Sequence, residues 1–256
     1  MRRLLLLAAL GACQRADATP ATPWRPAPDT TWQWQLSGPI DASLPVAMYD
    51  VDLFDAPAPV LAELHARRVK VICYFSAGSY EAWRADAAAF PATTRGLPMA
   101  GWPGERWLDI RAPAVRAVMR ARLDRAVARG CDGVEPDNID GYANATGFPL
   151  TAGDQLAYAR FLAGEAHARG LSIGLKNDLE QVGELLTDFD WALDEECMQY
   201  GECGLLAPVV AAGKAVFHVE YGDAALAEVI CSEAHARGFA TLIKHRALDA
   251  FRIACP

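Results

Sequence analysis

Residues 128–142 read "ARGCDGVEPDNIDGY", a stretch that joins a helix end, a short apolar run and a group of acids. Its opening phrase recurs as "ARRVKVICYFS" from Ala66, "ARGLSIGLKND" from Ala168, "ARGFATLIKHR" from Ala236 and, more loosely, "AAGKAVFHVEYG" from Ala211. Each copy places a cation and usually a glycine where a helical pattern ends, and an apolar run of strand length follows. The sequence therefore predicts one helix–strand step repeated along the chain.

The segments between these copies have the patterns of helices. Residues 113–129 open with Pro113, and residues 151–168 open with Thr151 and Asp154 as a capping pair. The strand candidates are residues 46–53, 70–76, 106–110, 131–138, 171–177, 191–196, 214–221 and 240–245. Eight strands alternating with helices predict an α/β protein with a single (β/α)8 TIM barrel. A doubly wound open sheet is the alternative, but no GxGxxG motif follows the first strand.

The chain begins with the pattern of an export signal. "MRRLLLLAALGAC", residues 1–13, has two arginines, a leucine-rich run too short to span a bilayer, and small residues before Cys13. Because "LGAC" resembles a bacterial lipobox, we expect a lipoprotein-type signal peptide over residues 1–12 and lipidation of Cys13; the alternative is simple secretion, with Cys13 removed. Residues 13–30 are rich in Pro, Ala and Thr and predict a tether to an outer or cytoplasmic membrane. Residues 31–256 remain for the catalytic barrel of an exported bacterial protein, expected to be a monomer.

Charge and composition narrow the choice of partner. The chain has 256 residues, 52% of them hydrophobic, which is enough for a substantial core. Loss of Arg2 and Arg3 with the signal would leave 22 basic residues against 32 acidic residues, a net charge of about −10. Such a surface disfavours nucleic acid and favours a cationic substrate.

The cysteines indicate disulfides rather than metal binding. Apart from Cys13 there are six, at positions 73, 131, 197, 203, 231 and 255, an even number in a chain predicted to be exported. Cys197 and Cys203 are close enough in sequence to close a short loop, whereas the other four can pair in three ways. No CxxC spacing suggests zinc, and the acids after residue 134 lack the 12-residue calcium loop, so we expect no metal and no cofactor.

Polar residues recur in pairs near the predicted strand ends. Residues two apart share one side of a strand, and the carboxyl ends of barrel strands open into a common mouth. We therefore expect one pocket to be lined by the pairs Asp50 with Asp52, Tyr74 with Ser76, Glu135 with Asp137, Lys176 with Asp178, and His218 with Glu220. Two other readings stay open: Asn138 and Asp140 could be turn formers, and Lys176 could form a Schiff base instead of an ion pair.

The sixth strand, "WALDEEC", supplies a second acid. By alternation Glu195 and Glu196 point to opposite sides, so only one of them enters the pocket. Carboxyl groups on strands four and six would face each other across the mouth, as glycoside hydrolysis requires. Trp32, Trp34, Trp83, Trp102 and Trp107 are candidates for either core packing or sugar platforms, and we expect at least half of them in the core.

Seven motifs together resemble glycoside hydrolase family 114, the endo-α-1,4-polygalactosaminidases. They are "WQWQLSGPID", "YDVDLFD", "VICYFSAGSYEAWR", "WLDIR", "GCDGVEPDNIDGY", "IGLKND" and "DEECMQYGEC", and the match runs from about Trp32 to the C-terminus. The resemblance implies a (β/α)8 barrel that cleaves α-1,4-linked galactosamine polymers, with Asp137 and Glu195 as catalytic acids. Glu195 is preferred to its neighbour because relatives vary the second position more. Asp194 and Glu135 depart from the residues commoner in the family, which concerns the fine substrate preference.

The strand geometry and the family resemblance together suggest a role for each residue in the pocket. We expect Asp137 to be the nucleophile or base and Glu195 the general acid, or the reverse. The expected substrate is a cationic or partly deacetylated polysaccharide, and the alternatives are a non-catalytic polysaccharide-binding lipoprotein and a Schiff-base lyase or aldolase that uses Lys176. The candidate substrate-binding residues are Asp50, Asp52, Tyr74, Glu135, Asn138, Asp140, Lys176, Glu196, Glu220 and Tyr221.

Overall fold

The structure of the protein, a computed structural model, describes residues 22–255. Its strands are β1 (Trp32–Gln35), β2 (Met48–Asp52), β3 (Lys70–Ser76), β4 (Ser79–Glu81), β5 (Arg95–Pro98), β6 (Glu105–Leu108), β7 (Gly133–Asp137), β8 (Ser172–Lys176), β9 (Trp191–Glu195), β10 (Val216–Tyr221), β11 (Ala240–Lys244) and β12 (Ile253–Ala254). Its α-helices are α1 (Ala58–Ala66), α2 (Pro113–Arg129), α3 (Ala152–His167), α4 (Val182–Leu185), α5 (Cys197–Tyr200), α6 (Ala207–Ala211) and α7 (Ala227–Arg237). The helices of residues 22–255 all fall short of the length and apolarity needed to cross a membrane.

Eight parallel strands of the described chain form a curled sheet in the order β1-β2-β3-β7-β8-β9-β10-β11, and β12 adds to it in the antiparallel sense. Side chains join the first and last parallel strands: Trp32 Nε1 donates to the carbonyl oxygen of Ala240 at 3.0 Å, and Lys244 Nζ donates to Gln33 Oε1 at 3.2 Å. The predicted (β/α)8 barrel is confirmed.

Two errors in the predicted strands cancel in the count of eight. Residues 106–110 were assigned to the barrel, but Glu105–Leu108 lies in a separate antiparallel sheet with the order β4-β6-β5. The alternation of buried Glu105, exposed Arg106 and buried Trp107 is typical of an antiparallel strand with one solvated face. The first barrel strand is instead Trp32–Gln35, in which Trp and Gln alternate but all four residues are buried.

The barrel interior is filled by large apolar side chains. Trp32, Met48, Trp191 and Phe217 belong to one buried cluster inside the sheet, and the helices pack a second cluster against its outer face. Full burial of each large apolar side chain is worth about 1.5–3 kcal/mol. At Gly174 an added Cβ would lie only 2.3 Å from the Trp191 ring, so the absence of a side chain there makes room for the indole.

Helix ends follow the predicted chemistry. Thr151 and Asp154 form the expected capping box of α3, in which each side chain accepts from the other's backbone N–H. Pro113 starts α2, and Gly130 ends it at φ 79°, a left-handed conformation that costs glycine little. These ends fix where β7 begins and therefore where its acids project.

Disulfides join residues within the described part of the chain. The predicted Cys197–Cys203 bond is present, and the four other cysteines pair as Cys73–Cys131 and Cys231–Cys255. Cys73–Cys131 closes a loop between β3 and the start of β7, and such cross-links fit an oxidising compartment. The expected signal peptide, Cys13 and the tether as far as residue 21 lie outside the described residues.

Candidate active site

A cleft of about 1120 Å³ opens at the carboxyl ends of the barrel strands. Nine of the twelve predicted catalytic and binding residues line it: Asp52, Tyr74, Asp137, Asn138, Asp140, Lys176, Glu195, Glu196 and Tyr221. Asp178 and Asp194 also line it. Parallel strands bring their carboxyl ends to one edge, which is why acids far apart in sequence share this cleft.

Lys176 lies at the centre of the cleft floor and bridges the two predicted catalytic acids. Its Nζ atom is 3.0 Å from Asp137 Oδ1 and 2.5 Å from Glu195 Oε2, so these two oxygens are at most 5.5 Å apart, the sum of the distances. The side chain of Lys176 is only 1% exposed. Burial alone would lower the pKa of Lys176, but Asp137, Glu195 and Glu135 raise it well above its usual value. Lys176 is therefore a cation here, not a free amine.

Further donors orient each predicted catalytic acid. Tyr74 Oη donates to Asp137 Oδ2 at 3.0 Å, and the backbone N–H of Asn138 donates to Asp137 Oδ1 at 2.8 Å. Tyr221 Oη donates to Glu195 Oε1. Burial raises the pKa of both tyrosines, and the neighbouring carboxylates raise it further, so both hydroxyls keep their protons. The two acids are thus held as acceptors by fixed donors on neighbouring strands.

Asp50 and Glu135 lie beneath the cleft and are not part of its lining. Burial raises the pKa of Asp50 to about 7 and that of Glu135 well above its usual value. Both oxygens of Asp50 and Oε1 of Glu135 lack a donor among residues 22–255, but a proton on Glu135 would supply one to Asp50. The other Glu135 oxygen accepts from Trp34 Nε1 at 3.0 Å, and Lys176 Nζ lies 5.2 Å from the centre of that ring. We therefore interpret Asp50 and Glu135 as support for Lys176, not as direct sugar ligands.

Glu220 does not line the cleft, and the predicted pairing of His218 with Glu220 at the mouth is wrong. Phe217 and Val219 belong to the interior cluster, so their neighbours on β10 face the outer layer. Glu220 Oε1 accepts from the backbone N–H of Met198 at 2.9 Å and lies 3.0 Å from His218 Nε2. It holds the turn after β9, and Tyr221 is the β10 residue that reaches the cleft.

Asp52 lines the cleft but is already paired. Its oxygens accept from Arg84 Nη1 at 2.9 Å and Arg84 Nη2 at 2.6 Å, and also from the backbone N–H groups of Phe54 and Asp55. A carboxylate held by so many donors is a poor free ligand for a sugar cation. Asp52 therefore serves mainly to hold Arg84 in the side of the cleft.

Glu196 also lines the cleft, so the expectation that only one of the two adjacent glutamates enters it is wrong. Its φ of 63° lies in the left-handed region, which breaks the alternation of β9. Glu196 Oε1 accepts from Arg246 Nη2 at 2.5 Å, whereas Glu195 contacts Lys176. Asn138, Asn177 and Asp178 share this conformation, at 60°, 51° and 48°. Left-handed residues directly after the strands thus re-aim side chains around the cleft.

Two acids of the lining are buried without a cation. Burial raises the pKa of Asp178 to about 8, and it raises the pKa of Asp194 to about 8 despite the opposing effect of Lys176. Both oxygens of Asp178 and Oδ1 of Asp194 lack donors in the described part of the chain. Burial also raises the pKa of Asp140.

Sequence reasoning missed two contributors to the site. Trp34 forms part of the floor, but its strand had been left out of the barrel, so its direction could not be inferred. Arg246 lines the cleft and pairs with Glu196, and its only signal is its position after the last parallel strand, in "KHRALD". Sequence reasoning searched mainly for acidic residues and therefore did not select Arg246.

Comparisons with known proteins agree with this arrangement. The model of glycoside-hydrolase family GH114 matches residues 14–256. The crystal structure of Aspergillus fumigatus Ega3 in complex with galactosamine is 40% identical, with a TM-score of 0.88 over 94% of this chain and 100% of that one. The glycoside hydrolase domain of PelA from Pseudomonas aeruginosa, 15% identical over 88% of this chain and 97% of that one, shares the fold with a TM-score of 0.69. An uncharacterized protein of Deinococcus radiodurans is 27% identical over 96% of both chains.

The family model and the Ega3 structure both cover nearly the whole described chain, and Ega3 shares its fold. The chain belongs to glycoside hydrolase family 114 and is a glycosidase.

Proposed function

We propose that this glycosidase cleaves α-1,4-linked galactosamine polymers at internal bonds, with Asp137 and Glu195 as its catalytic acids. The observation that carries the proposal is the bridge from Lys176 to both carboxylates at 3.0 and 2.5 Å. Further support comes from Ega3, whose structure contains galactosamine and which is 40% identical to this chain. Two carboxyl groups facing one opening are the equipment that glycoside hydrolysis needs.

We propose that the anomeric configuration is retained, because the nearest oxygens of the two acids lie close enough to share one ammonium group. Their Lys176-bound oxygens are at most 5.5 Å apart, the sum of the two distances to Nζ. Retaining glycosidases hold their carboxyl groups about 5–5.5 Å apart, whereas inverting enzymes need about 6.5–9.5 Å to admit a water molecule. The sequence alone left this choice open.

In the proposed reaction Asp137 attacks the anomeric carbon while Glu195 gives a proton to the leaving glycosidic oxygen. Asp137 accepts hydrogen bonds from Lys176, Tyr74 and the backbone N–H of Asn138, and these three donors orient its oxygens for the nucleophile's role. Water, deprotonated by Glu195, then attacks the same carbon and breaks the bond to Asp137. Both carboxyl groups return to their starting protonation states.

The acidic lining suits a cationic polymer. A deacetylated galactosamine unit carries an ammonium group, and the carboxyl groups of Asp140, Glu180 and Glu202 lie along the cleft. The ammonium would be attracted to this field, and its entry would be steered by it. Asp140 and Tyr221 remain our proposed direct ligands among the predicted binding residues.

The two rival functions have less support. A Schiff base needs a neutral lysine, but the carboxylates around Lys176 raise its pKa. A purely binding protein would not need two acids that share one cation. Export also stays part of the proposal: Cys13 would be lipidated, and Cys13→Ser should move the protein from the membrane fraction to the soluble exported fraction.

The test uses deacetylated and acetylated oligomers of galactosamine and glucosamine, with mass spectrometry of the fragments. We expect internal cleavage of the deacetylated galactosamine oligomers, and NMR of the first product should show the α anomer. Cleavage of glucosamine oligomers alone would refute the substrate. A β anomer as first product would refute the retaining mechanism but leave the substrate standing.

A further inference from the structure

Two tryptophans of the cleft remain exposed, unlike the three others that the sequence had marked as candidate platforms. Trp83 is 55% exposed and Trp102 is 58% exposed, and both line the cleft. Trp32, Trp34 and Trp107 are buried. Exposed indole rings are costly in water, and here two of them share a cleft with paired catalytic acids.

Both rings belong to the insertion between β3 and β7. Trp83 follows β4, and Trp102 lies in the turn between β5 and β6. In the barrel order β3-β7-β8-β9, the strand before the insertion, β3, neighbours the strand of Asp137 and is separated from the strand of Glu195 by β7 and β8. The two rings therefore lie along the cleft beyond the point of cleavage.

The local backbone holds this pair in place. The carbonyl oxygen of Trp102 accepts from the N–H of Glu105 at 3.1 Å, and the N–H of Trp102 donates to Met99 at 3.2 Å. Gly104 has φ 91°, and a Cβ there would lie 3.0 Å from the Trp83 ring, so this ring rests on the backbone of the turn that carries Trp102. A rigid platform loses little conformational entropy when a ligand stacks on it.

Carboxylates accompany the rings. Glu81 and Glu105 are buried members of the same lining, and Oε2 of Glu81 has no hydrogen-bond donor within residues 22–255. Asp55 lines the same cleft, and Asp55 and Glu81 both pair with Arg84, at 3.1 Å and 2.8 Å. An indole face attracts the C–H face of a pyranose and also an ammonium group, so the two exposed rings suit an aminosugar.

We propose that Trp83 and Trp102 form a distal subsite that stacks on aminosugar units of the polymer beyond the bond that is cleaved. This proposal rests on the function proposed above and specifies how the long substrate is held. Occupation of the subsite requires a chain that extends past Asp137. The enzyme then prefers long polymers, and its cut falls inside the chain.

The test measures kcat and KM for Trp83→Ala, Trp102→Ala and the double variant in the full chain. Deacetylated galactosamine oligomers of increasing length serve as substrates. One cation–π contact is worth about 0.5–2 kcal/mol, so each single variant should lose about two- to thirtyfold in kcat/KM on long chains, mainly through KM. On the shortest oligomer that the wild type cleaves, kcat/KM should stay unchanged.

Two controls isolate the effect of the rings. Leu97→Ala removes an exposed apolar side chain from the same small sheet but outside the cleft lining, and it should leave the length dependence unchanged. Trp83→Phe keeps a ring and should recover part of the loss.

The outcomes separate this subsite from the proposed function. If the wild type cleaves no galactosamine oligomer, both proposals fall. If it does, and the double variant keeps the wild-type length dependence or loses activity equally at all lengths, only the subsite is refuted. A change of sedimentation coefficient with unaltered cleavage would assign the rings to self-association and would also refute it.

Discussion

The acids of one cleft fall into two groups that differ in their access to a cation. Asp137 and Glu195 share the ammonium group of Lys176 and accept further hydrogen bonds from tyrosines. Asp178 and Asp194 are buried without such a partner, and burial raises the pKa of each to about 8. Position relative to Lys176 thus separates the acids that hold a fixed cationic partner from the acids whose pKa is raised by burial.

This difference suggests why the buried lysine is present. A buried ion pair contributes little net stability, because removing two charges from water is costly. Placing Lys176 between two acids does, however, hold one oxygen of each within at most 5.5 Å of the other, the sum of the two distances to Nζ. Asp194 is also influenced by Lys176, which opposes the rise in its pKa, but burial outweighs that effect.

The largest expected effect comes from the first group of acids. Asp137→Asn and Glu195→Gln keep the shape of each side chain but remove its negative charge and its transferable proton. Each should lower kcat at least about a hundredfold on a galactosamine oligomer, since general acid–base help alone is worth about 10²–10⁴-fold. Thermal melts should show both variants folded, and substrate binding should remain measurable. Activity within tenfold of wild type in both variants would contradict the proposed mechanism.

The cation itself is the next target. Lys176→Met leaves three buried or half-buried carboxyl groups without their partner, so the free energy of unfolding should fall by about 3–5 kcal/mol and kcat by at least about tenfold. Urea melts and initial rates measure the two effects. Lys70→Met is the control: Lys70 is partly exposed and pairs with Asp132 at the amino end of β3, so it should cost less than about 1 kcal/mol. Equal losses in both variants would contradict a special role for Lys176.

The sequence predicted the regular part of this site and missed its irregular part. Asp137 and Lys176 were correctly placed because each ends a buried strand whose alternation is intact. Glu196 was misplaced because a positive φ follows β9, and nothing in "DEEC" encodes that angle. Glu220 was misplaced because its polarity was taken to mark the inward side of β10, whereas Phe217, Val219 and Tyr221 are the residues that face inward. The alternation of side chains along a strand is a local property that the sequence shows. The backbone conformation of the turn after a strand depends on the residues that pack around it.

The second group of acids predicts an unusual pH dependence of stability. The folded protein keeps a proton on Asp178 up to a pKa of about 8, whereas the unfolded chain releases it near the usual value of 3.8. The folded state therefore binds more protons between these values, and this residue costs stability as the pH rises from 4 to 9. Asp178→Asn removes that cost and also suits φ 48°. The melting temperature of Asp178→Asn, relative to that of the wild type, should increase as the pH rises. A difference in melting temperature that does not change with pH would contradict the raised pKa of Asp178.

Asp190→Asn gives the opposite sign in the same measurement. Burial opposes ionisation of Asp190, but hydrogen bonds from His167 and from the N–H of Ile173 outweigh it, and the pKa is lowered. The stability from this residue is present above pH 4 and is lost as the pH falls through the folded-state pKa. Asp190→Asn should therefore be less stable than the wild type at pH 7, and the deficit should shrink toward acid pH.

The smallest effect is expected at Glu196, directly beside a catalytic acid. Glu196 lines the cleft, but its oxygens contact Arg246, whose side chain is 66% exposed, and not Lys176. An ion pair with so exposed a partner contributes about 0–1 kcal/mol. Glu196→Gln keeps the shape and one acceptor for Arg246, so kcat should stay within about threefold of wild type while Glu195→Gln loses a hundredfold or more. Rates of the two variants on one galactosamine oligomer, at two salt concentrations, decide the matter. If Glu196→Gln were inactive and Glu195→Gln active, the acid bound to Lys176 would be structural, and catalysis would have to be reassigned to the glutamate that faces Arg246.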